Sequence, residues 1–135
     1  MPELGKYEKI QRPESVQALI KYLQSNPRLT SVAYESGQIL QITRNGLPSL
    51  KVFMTNIYVV GEAEAYEILS SNPDVNAIVT MSAWNGYSRA AKNMCKIKNV
   101  GLFKFEELLG AIYYEGQQFL GYIPPTQREQ NRRRI

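Results

Sequence analysis

Arg89, Lys92 and Lys96 recur at i, i+3 and i+7, the spacing that gathers three cations on one face of a helix. Trp84, Asn85, Tyr87 and Ser88 stand immediately before or beside them. Cations at that spacing attract phosphates, and flat aromatic rings give bases a surface to stack on. Asn85 and Ser88 add hydrogen-bonding groups, and Ser88 is placed to cap the helix that follows. Trp84, Asn85, Tyr87, Ser88, Arg89, Lys92 and Lys96 are therefore the candidate nucleic-acid-binding set. The plainer reading of the same residues is a solvated helix face, with Trp84 covering the edge of the core.

Other chemistry is narrowly bounded. The chain contains no histidine, which removes the usual general base and the commonest metal ligand. Ser-His-Asp and Cys-His mechanisms are thereby excluded. Asp74 is the only aspartate, so acid-base or metal chemistry would have to rest on glutamates. Glu62, Glu64 and Glu67 cluster after an apolar run, and a metal reading would pair Glu64 or Glu67 with Glu35. The simpler reading is an acidic first turn, which the helix dipole favours. Cys95 lies beside Met94 on an apolar stripe and reads as a buried small residue rather than a nucleophile.

The length of 135 residues suits one domain, expected over 13–126, between an N-terminal arm (1–12) and a basic tail (127–135) expected to be disordered. The tail carries four arginines against one glutamate, so most of the net charge of +4 belongs to it and the body is nearly neutral. No apolar run has the length of a membrane span, and residues 1–6 lack the apolar core of a signal peptide. A lone cysteine makes a reducing, cytoplasmic setting the default, with no membrane partner.

The elements that must position these residues are legible in the pattern. Pro13 opens a helix whose Val16, Leu19, Ile20 and Leu23 form an apolar stripe. Three strands follow, over 29–34, 38–44 and 49–60, with Asn45-Gly46 as a hairpin signal. The third is long and apolar on both faces, as a covered central strand is. Then come a helix over 62–71, a strand over 75–82, the basic helix over 88–97, a strand over 100–104 and a helix over 105–114. This order predicts an α/β fold of three layers: a mixed five-stranded sheet, part antiparallel meander and part parallel crossover, with helices on both faces.

That order resembles the restriction-endonuclease-like, or PD-(D/E)xK, superfamily. The segments that carry the resemblance are Val75-Asn76-Ala77-Ile78-Val79-Thr80-Met81-Ser82, Tyr87-Ser88-Arg89-Ala90-Ala91-Lys92, Val100-Gly101-Leu102-Phe103 and Phe105-Glu106-Glu107-Leu108-Leu109. They look similar to the closing part of methylation-dependent restriction nucleases. The resemblance implies an Asp on the second meander strand and a Glu-x-Lys or Asp-x-Lys on the third, holding a divalent cation. Neither stretch contains an acid here. With a turn at Asn45-Gly46, Gln38 is expected near Asn56, and Gln38, Met54 and Asn56 are expected in the places of the family's catalytic residues.

The resulting expectation is a non-catalytic nuclease-like domain, with no cofactor, that binds DNA, RNA or a protein partner through residues 82–96. One alternative is an active Mg²⁺-dependent nuclease with a migrated carboxylate, Glu35 or Glu64. Another is a homo-oligomeric structural protein whose tyrosines, among them Tyr113, Tyr114 and Tyr122, form the contact surface.

Overall fold

The computed structural model describes residues 12–26, 29–82 and 85–125. The expected arm and tail lie outside the described residues, apart from Arg12. The elements run α1 (Pro13–Gln24), β1 (Leu29–Ser36), β2 (Ile39–Arg44), β3 (Leu50–Thr55), β4 (Val59–Val60), α2 (Glu62–Ser71), β5 (Ala77–Thr80), β6 (Gly86–Tyr87), α3 (Arg89–Ile97), β7 (Gly101–Lys104), α4 (Phe105–Ala111) and α5 (Gly116–Leu120).

The main sheet has the order β1-β2-β3-β5-β7. The first two pairings are antiparallel and the last two parallel, so the sheet is mixed, as the element order predicts. Successive side chains of a strand point to opposite faces. Val52, Met54, Ala77 and Val79 accordingly join a core with α1, α4 and α5. Phe53 and Ile78 join a second core with α2 and α3. Helices therefore cover both faces. In α1, Pro13 occupies the first turn and Val16, Leu19 and Leu23 are buried. Full burial of each leucine contributes about 2 kcal/mol.

The third strand is shorter than its apolar pattern suggests: β3 ends at Thr55. Thr55 and Asn56 offer side-chain groups that compete with the ladder. The amide of Ile57 donates to Thr55 Oγ1 at 3.4 Å, and Asn56 Oδ1 accepts from Asn85 Nδ2 at 2.9 Å and from the Ser82 hydroxyl. The chain leaves the sheet, and Val59–Val60 pairs instead with Gly86–Tyr87 in a small parallel sheet. The expected continuous strand over 49–60 is thus two strands in two sheets. The expected helix over 105–114 is also shorter: α4 ends at Ala111, and Tyr113 and Tyr114 lie in the connection to α5, a separate helix over Gly116–Leu120.

The hairpin register also differs from the expected one. Ile42 faces Leu50 and Ile39 faces Phe53, so the connection is centred on Gly46, whose φ of +80° suits glycine. Gln38 therefore lies opposite Met54, not Asn56. The Met54 amide donates to the Gln38 carbonyl at 2.7 Å, and Gln38 Nε2 donates to the Met54 carbonyl at 2.9 Å.

Candidate nucleic-acid interface

The cations converge where the parallel strands end. Lys104 closes β7 at its carboxyl end, and α3 begins one residue after Tyr87 and Ser88. In open α/β sheets this end of the parallel strands is the usual place for a ligand. The Ser88 hydroxyl accepts from the Ala91 amide at 3.0 Å and caps α3, so its expected role is a capping one. From that cap, α3 turns Ala91 and Cys95 into the core and leaves Arg89, Lys92, Asn93 and Lys96 along the opposite side.

These four residues line a cavity of about 420 Å³ together with Tyr87, Lys104, Glu107, Gly121, Tyr122 and Ile123. Four cations thus face one carboxylate. Among the described residues the ion pairs join Lys51 to Glu35 and Asp74, and none engages the cations of this cavity. Arg89 and Lys104 are exposed, whereas Lys92 and Lys96 are half-buried.

Lys92 is the most constrained of them. Its ammonium donates to the Leu102 carbonyl and sits 4.3 Å from the centroid of the Phe103 ring and 5.3 Å from that of Tyr87. Burial pulls its pKa down to about 8, Glu107 opposes that shift, and Lys96 adds to it. Glu107 is 5% exposed and organises the opposite wall. One of its oxygens accepts from the Lys104 amide at 2.9 Å and from the Tyr87 hydroxyl at 2.7 Å. Burial first, and Glu107 second, push the Tyr87 phenol far above its ordinary range, so it stays a neutral donor. Cys95 is fully buried, and burial raises its thiol to about 11, which leaves it unreactive.

Of the seven candidate residues, Tyr87, Arg89, Lys92 and Lys96 share this cavity. Ser88 holds the helix start. Asn85 is buried and its amide holds Asn56, so it ties the loop after β5 to the end of β3 instead of facing the cavity. Trp84 lies outside the described residues. Sequence reasoning left out Lys104, Asn93, Glu107 and Tyr122. Lys104 carried a signal, since it terminates a parallel strand next to a basic helix. Glu107 and Tyr122 carried none, because the folding back of α4 and α5 is what brings them to α3.

The positions that the nuclease resemblance makes catalytic hold no metal-ligating set. Gln38 and Met54 face each other across β2 and β3, and Asn56 is occupied by Ser82 and Asn85. Amides and a thioether do not replace the carboxylates that a hard divalent cation takes. Glu35 pairs with Lys51 at 3.7 Å, while Glu64 and Glu67 line a different cavity of about 390 Å³ with Gln38 and Thr55. Among the described residues no group of three His, Cys, Asp or Glu side chains converges.

Comparison with protein-family models, with curated proteins and with solved structures found no match for this chain. The fold and the site define the class: a mixed-sheet α/β protein with a cation-lined cavity at the carboxyl end of its parallel strands. Among the described residues no helix is long and apolar enough to cross a membrane.

Proposed function

We propose that this chain is a non-catalytic domain of restriction-endonuclease-like architecture that binds nucleic acid through the cavity between α3, β7 and α4. One observation carries the reading: Arg89, Lys92, Lys96 and Lys104 line one cavity, and none forms an ion pair among the described residues. Four like charges facing a single carboxylate are costly unless a further anion neutralises them, and a phosphate backbone does so at several points at once. The nuclease-like part of the proposal is supported by the order of elements: a helix, a three-strand meander, a helix, then parallel strands. Gln38, Met54 and Asn56 are themselves not acids, and Glu64 and Glu67, which share a cavity with Gln38, have no third metal-ligating carboxylate beside them among the described residues, which supports a binding role without cleavage.

Fluorescent DNA and RNA oligonucleotides, titrated at several salt concentrations, test the binding. Affinity should fall steeply with salt. Arg89→Ala combined with Lys104→Ala should weaken binding by roughly tenfold to a hundredfold at low salt and reduce the salt slope by about 1.5–2, since each variant removes one phosphate contact. Affinity indifferent both to salt and to the double variant would overturn the reading, and a defined oligomer by light scattering would then favour a tyrosine-mediated assembly. Supercoiled plasmid incubated with Mg²⁺ or Mn²⁺ should remain intact. Cleavage that Glu64→Gln abolishes would replace this reading with that of an active nuclease.

A further inference from the structure

Resting on that reading, we infer that the site takes single-stranded nucleic acid, with the phosphate in the cation-lined cavity and the adjoining base stacked on a tyrosine pair. A second cavity, of about 310 Å³, is lined by Tyr114, Gln118, Gly121, Tyr122 and Ile123. Its last three residues also line the cation cavity, so the two share a wall. The Tyr114 and Tyr122 rings stack with centroids 5.7 Å apart and planes 30° from parallel. Tyr114 is 36% exposed, which leaves ring surface open to a ligand.

The pair is held in place from both sides. The Tyr122 ring crosses directly over Gly110: a Cβ there would fall 1.9 Å from the phenol oxygen, so only glycine fits beneath it. The carbonyl of Tyr114 accepts from the buried Arg44 guanidinium. On the cation side, Lys96 Nζ reaches within 3.8 Å of the place a Gly121 side chain would begin, which sets an ammonium beside the backbone that leads into Tyr122. A fixed ring pair next to a cluster of cations is the arrangement that single strands exploit: the backbone follows the charge, and unpaired bases turn out to stack. A duplex keeps its bases stacked inside and offers the tyrosines no face.

The test compares a 12-mer oligo(dT) and a 12-mer oligo(U) with a mixed-sequence duplex of equal length, by fluorescence anisotropy on the full chain at fixed salt. The single strands should bind at least about tenfold more tightly than the duplex. Tyr114→Leu, which keeps apolar bulk at a half-exposed position, should weaken single-strand binding by about tenfold, the scale of one lost base stack, and leave the salt slope unchanged. Gly110→Ala, which displaces Tyr122, should produce a similar loss with the fold intact by circular dichroism. Equal or tighter duplex binding that still responds to Arg89→Ala and Lys104→Ala would overturn this inference and leave the nucleic-acid reading standing. Unaltered single-strand affinity in Tyr114→Leu would also overturn it. Failure of all three probes to bind would remove both.

Discussion

Arg44→Met is expected to lower the stability of the fold by about 4 kcal/mol, the scale of breaking a buried, hydrogen-bonded charge network. Arg44 is 6% exposed at the end of β2. Its Nε donates to the Pro48 carbonyl at 2.7 Å, and its Nη1 donates to the carbonyls of Ile112, at 3.1 Å, and Tyr114. Ile112 and Tyr114 follow α4, at the negative end of its helix dipole, where a cation is favoured. One guanidinium therefore closes the β2–β3 connection and the end of α4 together, while its flat face lies 5.8 Å from the centroid of Phe119. Burial lowers its pKa, and Glu115 partly offsets that. Methionine fills the space but leaves three carbonyls without this donor. Thermal unfolding should shift down by roughly 10–20 °C. Arg44→Lys should recover little, because an ammonium cannot span three acceptors set for a planar fork. A shift below about 3 °C in Arg44→Met would show that water replaces the guanidinium at no cost.

Arg44 also marks where sequence reading stops. In the sequence it is one polar residue at the end of a strand, and two of its three carbonyl partners, Ile112 and Tyr114, lie about 70 positions away along the chain. Local signals did better. Pro13, the Val16-Leu19-Leu23 stripe, Asn45-Gly46 and Ser88 each act within a few residues, and α1, the hairpin and the start of α3 lie close to where those signals put them. The apolar run after Asn56 misled because hydrophobicity reports burial and not the ladder partner: Val60 is fully buried in the core beneath the main sheet, yet it pairs with Tyr87 of β6 and not with a strand of that sheet. The helical spacing of Arg89, Lys92 and Lys96 was enough to find one wall of the site. The wall made by Glu107 and Tyr122 depends on the return of α4 and α5 across the end of β7, which no local pattern encodes.

Lys92→Met is expected to change the pH dependence of stability by about 3 kcal/mol, the equivalent of lowering a lysine from its ordinary value to about 8. The native pKa lies below the unfolded one. Below pH 8 both states carry the charge, and the cost of holding it among Phe103, Tyr87 and the Leu102 carbonyl is fully present. Between about pH 8 and 10.5 the unfolded chain binds a proton that the native chain does not, so wild-type stability rises with pH across that window. Above it the lysine is neutral in both states and the cost is gone. The variant lacks this dependence. Wild-type stability minus that of the variant should therefore increase by about 3 kcal/mol from pH 7 to pH 10.5, as read from urea unfolding at each pH. Taking the difference removes the groups remote from the site, and what remains is the Lys92 proton together with its coupling to Glu107, Lys96 and Cys95. A flat difference would mean that Lys92 is solvated in the native state. The same proton matters for binding. Between pH 7 and 9 the wild type should lose affinity for a single strand and about 0.7 of its salt slope as one cation is neutralised, while Lys92→Met should bind with a slope that does not move over that range. Loss of that pH response in the variant separates a Lys92 that holds a phosphate from one that only fills the wall of a cavity.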